Sequence, residues 1–153
     1  DWGYTILPKY INIGLSYRDG KRWLAVADYS MQNWSDYRLF DVSDNLKNSV
    51  KLSAGVQFTP EYNSVTSYYK RMQYRLGVSY GLTPLELQGV QLNERSLSFG
   101  FGIPVRKSRT KYDMSLTIGD RGTTDNNLIK EQFLRFGLSV TYDGIWFVKR
   151  KYD

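Results

Sequence analysis

The sequence predicts an all-β fold, an antiparallel transmembrane β-barrel of which this chain supplies about seven strands. Three observations carry that prediction. Apolar residues alternate with small or polar ones in seven stretches, each roughly nine to thirteen residues long. Successive strand side chains point to opposite faces, so every stretch makes a ribbon that is greasy on one side only. Soluble strands usually stop near five or six residues, whereas a tilted strand crossing a bilayer needs roughly nine to eleven. Aromatic residues make up 16% of the chain, with 13 Tyr and 4 Trp, the supply that the interfacial girdles of a barrel require.

The first strand, residues 10–18, sets Ile11, Ile13, Leu15 and Tyr17 against Asn12, Gly14 and Ser16, and Asp19-Gly20 signals a hairpin. The second, 22–32, turns out Trp23, Ala25, Ala27, Tyr29 and Met31, although Leu24 and Val26 blur its polar face. A polar segment, 33–48, follows. The third strand, 49–59, is the cleanest: Val50, Leu52, Ala54, Val56 and Phe58 against Lys51, Ser53, Gly55, Gln57 and Thr59. Pro60 ends its pairing.

After a polar, Tyr-rich link over 61–70, the fourth strand (71–82) sets Met72, Tyr74, Leu76, Val78 and Tyr80 against Gln73, Arg75, Gly77 and Ser79. Residues 83–93, which include Pro84, read as a loop. The fifth strand shows Leu97, Phe99, Phe101 and Ile103 outward, then a basic turn spans 106–109. The sixth opposes Tyr112, Met114, Leu116 and Ile118 to Asp113, Ser115, Thr117 and Gly119. A Gly-Thr-Thr-Asp-Asn loop separates it from the seventh, where Leu134, Phe136, Leu138, Val140 and Tyr142 face Arg135, Gly137, Ser139 and Thr141. Asp143-Gly144 and an aromatic, basic tail close the chain.

Links after strands one and five read as tight, and those after two, four and six as long. Outer-membrane barrels have short periplasmic turns and longer extracellular loops. With the C-terminus periplasmic, the long links fall outside, and only the 61–70 link is longer than its side predicts.

Composition narrows the functions. A mean hydropathy of −0.49 is compatible with a barrel, because half of each strand faces a polar lumen. The chain has no Cys and no His, so thiolate chemistry and the usual acid–base and metal-binding residue are missing. No nucleophile motif is present, and no enzyme activity and no cofactor are expected. A net charge of +6 is spread over strand ends and turns without a nucleic-acid motif, so no nucleic-acid partner is expected.

A soluble barrel or sandwich would alternate similarly. Glycine on the polar faces (Gly14, Gly55, Gly77, Gly100, Gly102, Gly119, Gly137) and Tyr17, Trp23, Phe58 and Tyr142 near strand ends of one side favour the membrane. Seven is odd, whereas single-chain barrels are even. The chain, which begins at Asp1 without a signal peptide, therefore reads as the C-terminal half of one exported barrel domain over 1–153.

Leu7-Pro8, Gly14-Leu15-Ser16-Tyr17, Arg22-Trp23 and Asn33-Trp34-Ser35-Asp36-Tyr37 form a series that resembles the later strands of the FadL-like long-chain fatty-acid transporters. Gly122-Thr123-Thr124-Asp125-Asn126 and the ending Trp146-Phe147-Val148-Lys149-Arg150-Lys151-Tyr152 resemble a divergent branch of the same proteins. The resemblance implies a fourteen-stranded barrel whose N-terminal hatch and first strands precede this chain. It also implies passive uptake of hydrophobic small molecules such as fatty acids across the outer membrane of a Gram-negative bacterium.

Candidate residues fall into groups. Arg18, Asp28, Lys51, Arg75, Asp113 and Arg135 lie on predicted lumen-facing positions; they line a polar path or anchor a carboxylate, or else neutralise one another or a plug. Trp34, Tyr37, Leu39 and Phe40 sit in a predicted extracellular loop, as a landing site for a greasy ligand or as packing for the rim. Tyr62, Tyr68 and Tyr69 give the 61–70 link a docking character. Asp41, Asp44, Asp120 and Asp125 lack the spacing of a calcium loop, and no metal is expected. Arg106, Lys107 and Arg109, with Lys149, Arg150 and Lys151, read as interfacial anchors, or as sites for an acidic partner or lipid head groups.

Two functions follow. One is the conduit implied by the resemblance, with a hydrophobic small-molecule ligand. The other is a structural subunit of a larger outer-membrane assembly, such as secretion or barrel-assembly machinery. Expected partners are outer-membrane lipid, the missing half of the barrel and, for the second function, other outer-membrane proteins. A side-chain-filled lumen favours the structural role; an open wall favours transport.

Overall fold

The alternation folds as an antiparallel meander. The computed structural model describes residues 4–40, 42, 45–106, 108, 110–124, 126 and 128–142. Asp41, Asp44, Lys107, Arg109, Asp125, the Asp143-Gly144 turn and the basic tail with Lys149, Arg150 and Lys151 lie outside those residues. In chain order the strands are β1 (Thr5–Ile6), β2 (Tyr10–Asp19), β3 (Trp23–Gln32), β4 (Arg38–Leu39), β5 (Ser49–Phe58), β6 (Gln73–Leu87), β7 (Val90–Pro104), β8 (Lys111–Arg121) and β9 (Glu131–Thr141). Two short 3-10 turns, Trp34–Asp36 and Tyr68–Arg71, interrupt the links. Seven strands make one sheet in the order β2-β3-β5-β6-β7-β8-β9, and β1 pairs with β4 in a separate small one.

Each strand pairs with the next so that apolar positions meet apolar positions. One row runs unbroken through Tyr17, Ala25, Val56, Leu76, Phe99, Leu116 and Phe136. The adjacent row is Leu15, Ala27, Ala54, Val78, Leu97, Ile118 and Leu134. Towards one end, Trp23, Phe58, Tyr74 and Phe101 line up across four strands. The Trp23 and Phe58 ring centroids stand 4.4 Å apart, and Tyr74 meets Phe101 edge-on at 5.9 Å. The polar face curls round a cavity of about 510 Å³ whose lining runs from Leu24 on β3 to Ser139 on β9.

Among the described residues no hydrophobic side chain is buried. Leu15 is 75% exposed and Phe136 63%. The accessible surface is 12206 Å² for a chain of 17.8 kDa. A compact monomer of that mass exposes roughly 8,000 Å². The excess is the apolar face, and two further surfaces await cover: the outer edges of β2 and β9, which do not pair with each other. The sheet is therefore open, not a closed barrel within this chain.

Two features depart from the sequence reading. The expected loop over 83–93 is an extension of both flanking strands, which reach 15 residues each. Pro84 argued for a loop because it lacks an N–H. Here it sits in a register irregularity between Leu82 and Glu86, where no ladder bond is demanded of it. The hairpin then closes on Gln88 (φ 50°) and Gly89 (φ 77°), both in the left-handed region that a two-residue primed turn requires. The Asp19-Gly20 hairpin closes over residues 20–22, not two residues, with Asp19 opposite Trp23 and the Arg22 amide donating to the Asp19 carbonyl at 3.2 Å.

Glycine makes room on the polar face, and Gly119 is the tightest position. A Cβ there would press on the Phe133 ring and stand 2.6 Å from the Arg95 carbonyl oxygen, which is backbone and cannot swing away. At Gly14 the obstacle is a carboxylate oxygen of Asp28, also 2.6 Å away, on a side chain that can rotate. Gly119→Ala is expected to destabilise the folded protein by about 1–3 kcal/mol, and Gly14→Ala by less than about 0.5 kcal/mol. Thermal unfolding followed by circular dichroism measures both.

Candidate functional site

Arg75 sits mid-strand on the polar face, opposite Gln57 of β5 on one side and Gly100 of β7 on the other. With no side chain at Gly100, the Arg75 stem lies across β7; a Cβ at that glycine would come within 3.3 Å of the Arg75 Cβ. Gly102 opens the path further, since a Cβ there would stand 3.0 Å from Asp113 Oδ1. Arg75 thus reaches two strands over. Its Nη1 donates to Asp113 Oδ1 at 2.6 Å, Nη2 to Gln73 Oε1 at 2.6 Å and Nε to Gln57 Oε1 at 2.8 Å. Lys111 Nζ lies 3.3 Å from Asp113 Oδ2.

All three donor nitrogens of the guanidinium are engaged, and the carboxylate is shared between two cations. Arg75 is 33% exposed and Asp113 17%, so water screens the pair only in part. The arrangement staples β6 to β8 inside the concavity, where Ser98, Ser115 and Ser139 add hydroxyls to a largely apolar lining. Among the described residues no group of His, Cys, Asp and Glu is placed to hold a metal ion.

Of the six lumen-facing candidates, Arg75 and Asp113 are joined directly. Asp28, Lys51 and Arg135 share a second depression of about 320 Å³, with the Arg135 guanidinium carbon 5.5 Å from the Phe133 ring. Arg18 lies apart, near the β2–β3 turn. Trp34 and Tyr37 are half-buried and pack edge-on at 5.9 Å, while Leu39 and Phe40 stay exposed. The N-terminal segment braces that loop: the Phe40 amide donates to the Tyr4 carbonyl at 3.1 Å, and Leu39 pairs with Thr5.

The two ends of the sheet differ in charge. At the end formed by the β2–β3 turn, the 59–72 link and the β7–β8 turn, the described cations are Arg18, Lys21, Arg22, Lys70, Arg71, Arg106 and Lys111, against Asp19 and Glu61. At the far end, described acids and bases nearly balance, and acids are paired: Lys47 with Glu86 at 3.2 Å, Arg95 with Asp120 at 2.7 Å, Lys130 with Asp120 at 3.4 Å, and Arg121 with Glu94.

The 59–72 link is built firmly. Thr59 and Ser64 are the buried polar side chains among the described residues. The Thr59 amide donates to the Arg22 carbonyl at 2.8 Å, and the Glu61 amide to the Lys70 carbonyl at 2.8 Å. Tyr68 donates its hydroxyl to the Pro104 carbonyl at 2.6 Å, Tyr74 donates to the Tyr69 carbonyl at 3.0 Å, and Lys21 Nζ lies 4.5 Å from the Tyr62 ring centroid. Tyr62, Tyr68 and Tyr69 nonetheless remain exposed.

Sequence reasoning missed Gln57, Gln73 and Lys111 as partners of the central pair. The usable signal was Gly100-Phe101-Gly102 between a strand with Arg75 and a strand with Asp113, which opens a trough only once the three strands are set in register. Removing one partner leaves the other charge half-desolvated. Asp113→Ala is expected to cost about 1.5–3 kcal/mol of stability. The double variant Arg75→Ala/Asp113→Ala should cost less than Arg75→Ala and Asp113→Ala added together, read as a non-zero coupling energy in a double-mutant cycle of urea unfolding.

No curated protein and no solved structure matches the chain. A family model does, that of BamG, over residues 4–153. That finding overturns the resemblance to the FadL-like fatty-acid transporters, because the matched family is one associated with barrel assembly. Of the motifs behind the resemblance, Gly14-Leu15-Ser16-Tyr17 and Arg22-Trp23 lie on or beside exposed strands and Asn33-Trp34-Ser35-Asp36-Tyr37 in the rim loop, while 146–152 lies outside the described residues. BamG is linked to the barrel-assembly machinery and to the Gram-negative outer membrane. With the match spanning nearly its whole length, the chain belongs to the BamG family.

Proposed function

We propose that this chain is a wall segment of an integral outer-membrane β-barrel that serves as a structural subunit of the barrel-assembly machinery. The family membership supplies the machinery. The supporting observation from the structure is the continuous apolar face, exposed from β2 to β9, with an aromatic row at one end. At the tilt usual in barrels, strands of 10 residues would span a hydrophobic band about 25 Å tall, and the 15-residue β6 would project beyond it.

Open edges at β2 and β9 call for strands from outside this chain, because an unpaired edge cannot persist in lipid. Seven further strands would complete an even-numbered barrel of fourteen. The polar face favours a structural role over a conduit: Arg75, bonded to Asp113, Gln57 and Gln73, ties β5, β6 and β8 together along the concave wall. Outer-membrane lipid covers the apolar face, and other outer-membrane proteins are the working partners.

The test is native mass spectrometry of the intact protein extracted from outer membranes in mild detergent. The expected result is a stable complex with other outer-membrane proteins, the barrel-assembly subunits among them. A single, separate barrel that carries lipophilic adducts and no protein partner would overturn the proposal.

A further inference from the structure

We propose that the basic end of the sheet holds a binding pocket for a carboxylate-rich peptide segment of a partner subunit, seated between the 59–72 link and the β7–β8 turn. This rests on the reading of the chain as a subunit of an assembly and names the chemistry of one contact. The cavity there is about 660 Å³. Arg71, Arg106 and Lys111 enter it from three separate stretches of chain, and no carboxylate is among its lining residues. Among the described residues Arg71 and Arg106 make no ion pair, whereas Lys111 is 3.3 Å from Asp113. The only acid of the link, Glu61, is already taken by Lys70 at 3.4 Å.

Three further observations favour a peptide over a small ion. The three cations come from separate stretches of chain, and a cavity of about 660 Å³ is far larger than one compact anion fills. Tyr62 and Val65 also line the cavity and offer apolar contact for a chain. Both walls are tied in advance, since the Tyr68 hydroxyl holds the link to the Pro104 carbonyl at 2.6 Å, and a preformed pocket spares the entropy of ordering its walls. Arginine forks take carboxylates in a bidentate grip, which a row of Asp or Glu side chains would supply.

Fluorescence anisotropy of fluorescein-labelled hexaglutamate, titrated with the full-length protein in mild detergent, tests this without any partner present. Binding is expected, weakening as salt rises. Arg71→Glu/Arg106→Glu should weaken it at least tenfold, and Lys9→Glu, at the far end, should leave it unchanged. If the charge reversal fails to fold by circular dichroism, Arg71→Gln/Arg106→Gln replaces it with the same expected direction. Absence of wild-type binding, equal binding by the double variant, or displacement of the peptide by millimolar inorganic phosphate would overturn the pocket. A protein that fails this test yet is recovered within the assembly keeps the proposed function and loses only this contact.

Discussion

Backbone pairing in one continuous register is the constraint on which the rest of this structure depends. Most domains bury a hydrophobic core and let it select the register; here no hydrophobic side chain is buried among the described residues. The ladders of seven strands hold the sheet together, and alternation decides how they align. Because the side-chain period is two, a one-residue slip moves every residue of a strand to the other face. In β5 that would put Lys51 where Leu52 stands and Gln57 where Phe58 stands, while Leu52 and Phe58 entered the polar concavity. Each inner strand of the seven is therefore checked against two neighbours.

The same register determines what the polar face can do. It sets Gly100 and Gly102 between Arg75 and Asp113, so a long side chain can lie across the intervening strand instead of standing off it. Glycine weakens a strand through lost packing and added chain entropy. In β7 that cost is offset by a charge-assisted bond linking β6 to β8 and by two glutamines that complete the guanidinium's partners. Two like charges added to this face without partners would have the opposite effect, since half-desolvated charge is costly.

The sheet was legible wherever the alternation was long and undisturbed. Ser49–Phe58 and the run from Leu134 onward could be read directly, since apolar residues there alternate with glycine or polar ones. Leu24 and Val26 blurred β3 because the concave face near them is partly apolar, and both line its cavity. The extension of β6 and β7 was hidden by Pro84, a residue that ends most strands and survives here only at a register irregularity. The charged staple was half legible: Arg75 and Asp113 could be placed on the inner face, but their meeting depends on an alignment across three strands. The family was not legible. Strand-face motifs such as Gly14-Leu15-Ser16-Tyr17 express the needs of an exposed alternating strand, and many unrelated sheets share them.

At the basic end, alternation separates two tasks by a single step along the chain. Phe58 and Tyr74 point out of the sheet in the aromatic row, and their immediate neighbours Gln57 and Gln73 point inward to Arg75. On β8, Tyr112 is exposed on the apolar face while Lys111 turns to the cavity beneath the 59–72 link. In the proposed barrel the outward set anchors the wall in lipid at the level of the head groups, where amphipathic rings are favoured. The inward set lies beneath the link, beside Arg71 and Arg106, which make no ion pair among the described residues. A substitution on one set need not disturb the other, because the pleat keeps them on opposite sides of the backbone. Membrane anchoring and recognition of a partner can then be tuned independently within the same few residues, which a helix of similar length, with its broad overlapping faces, would not allow.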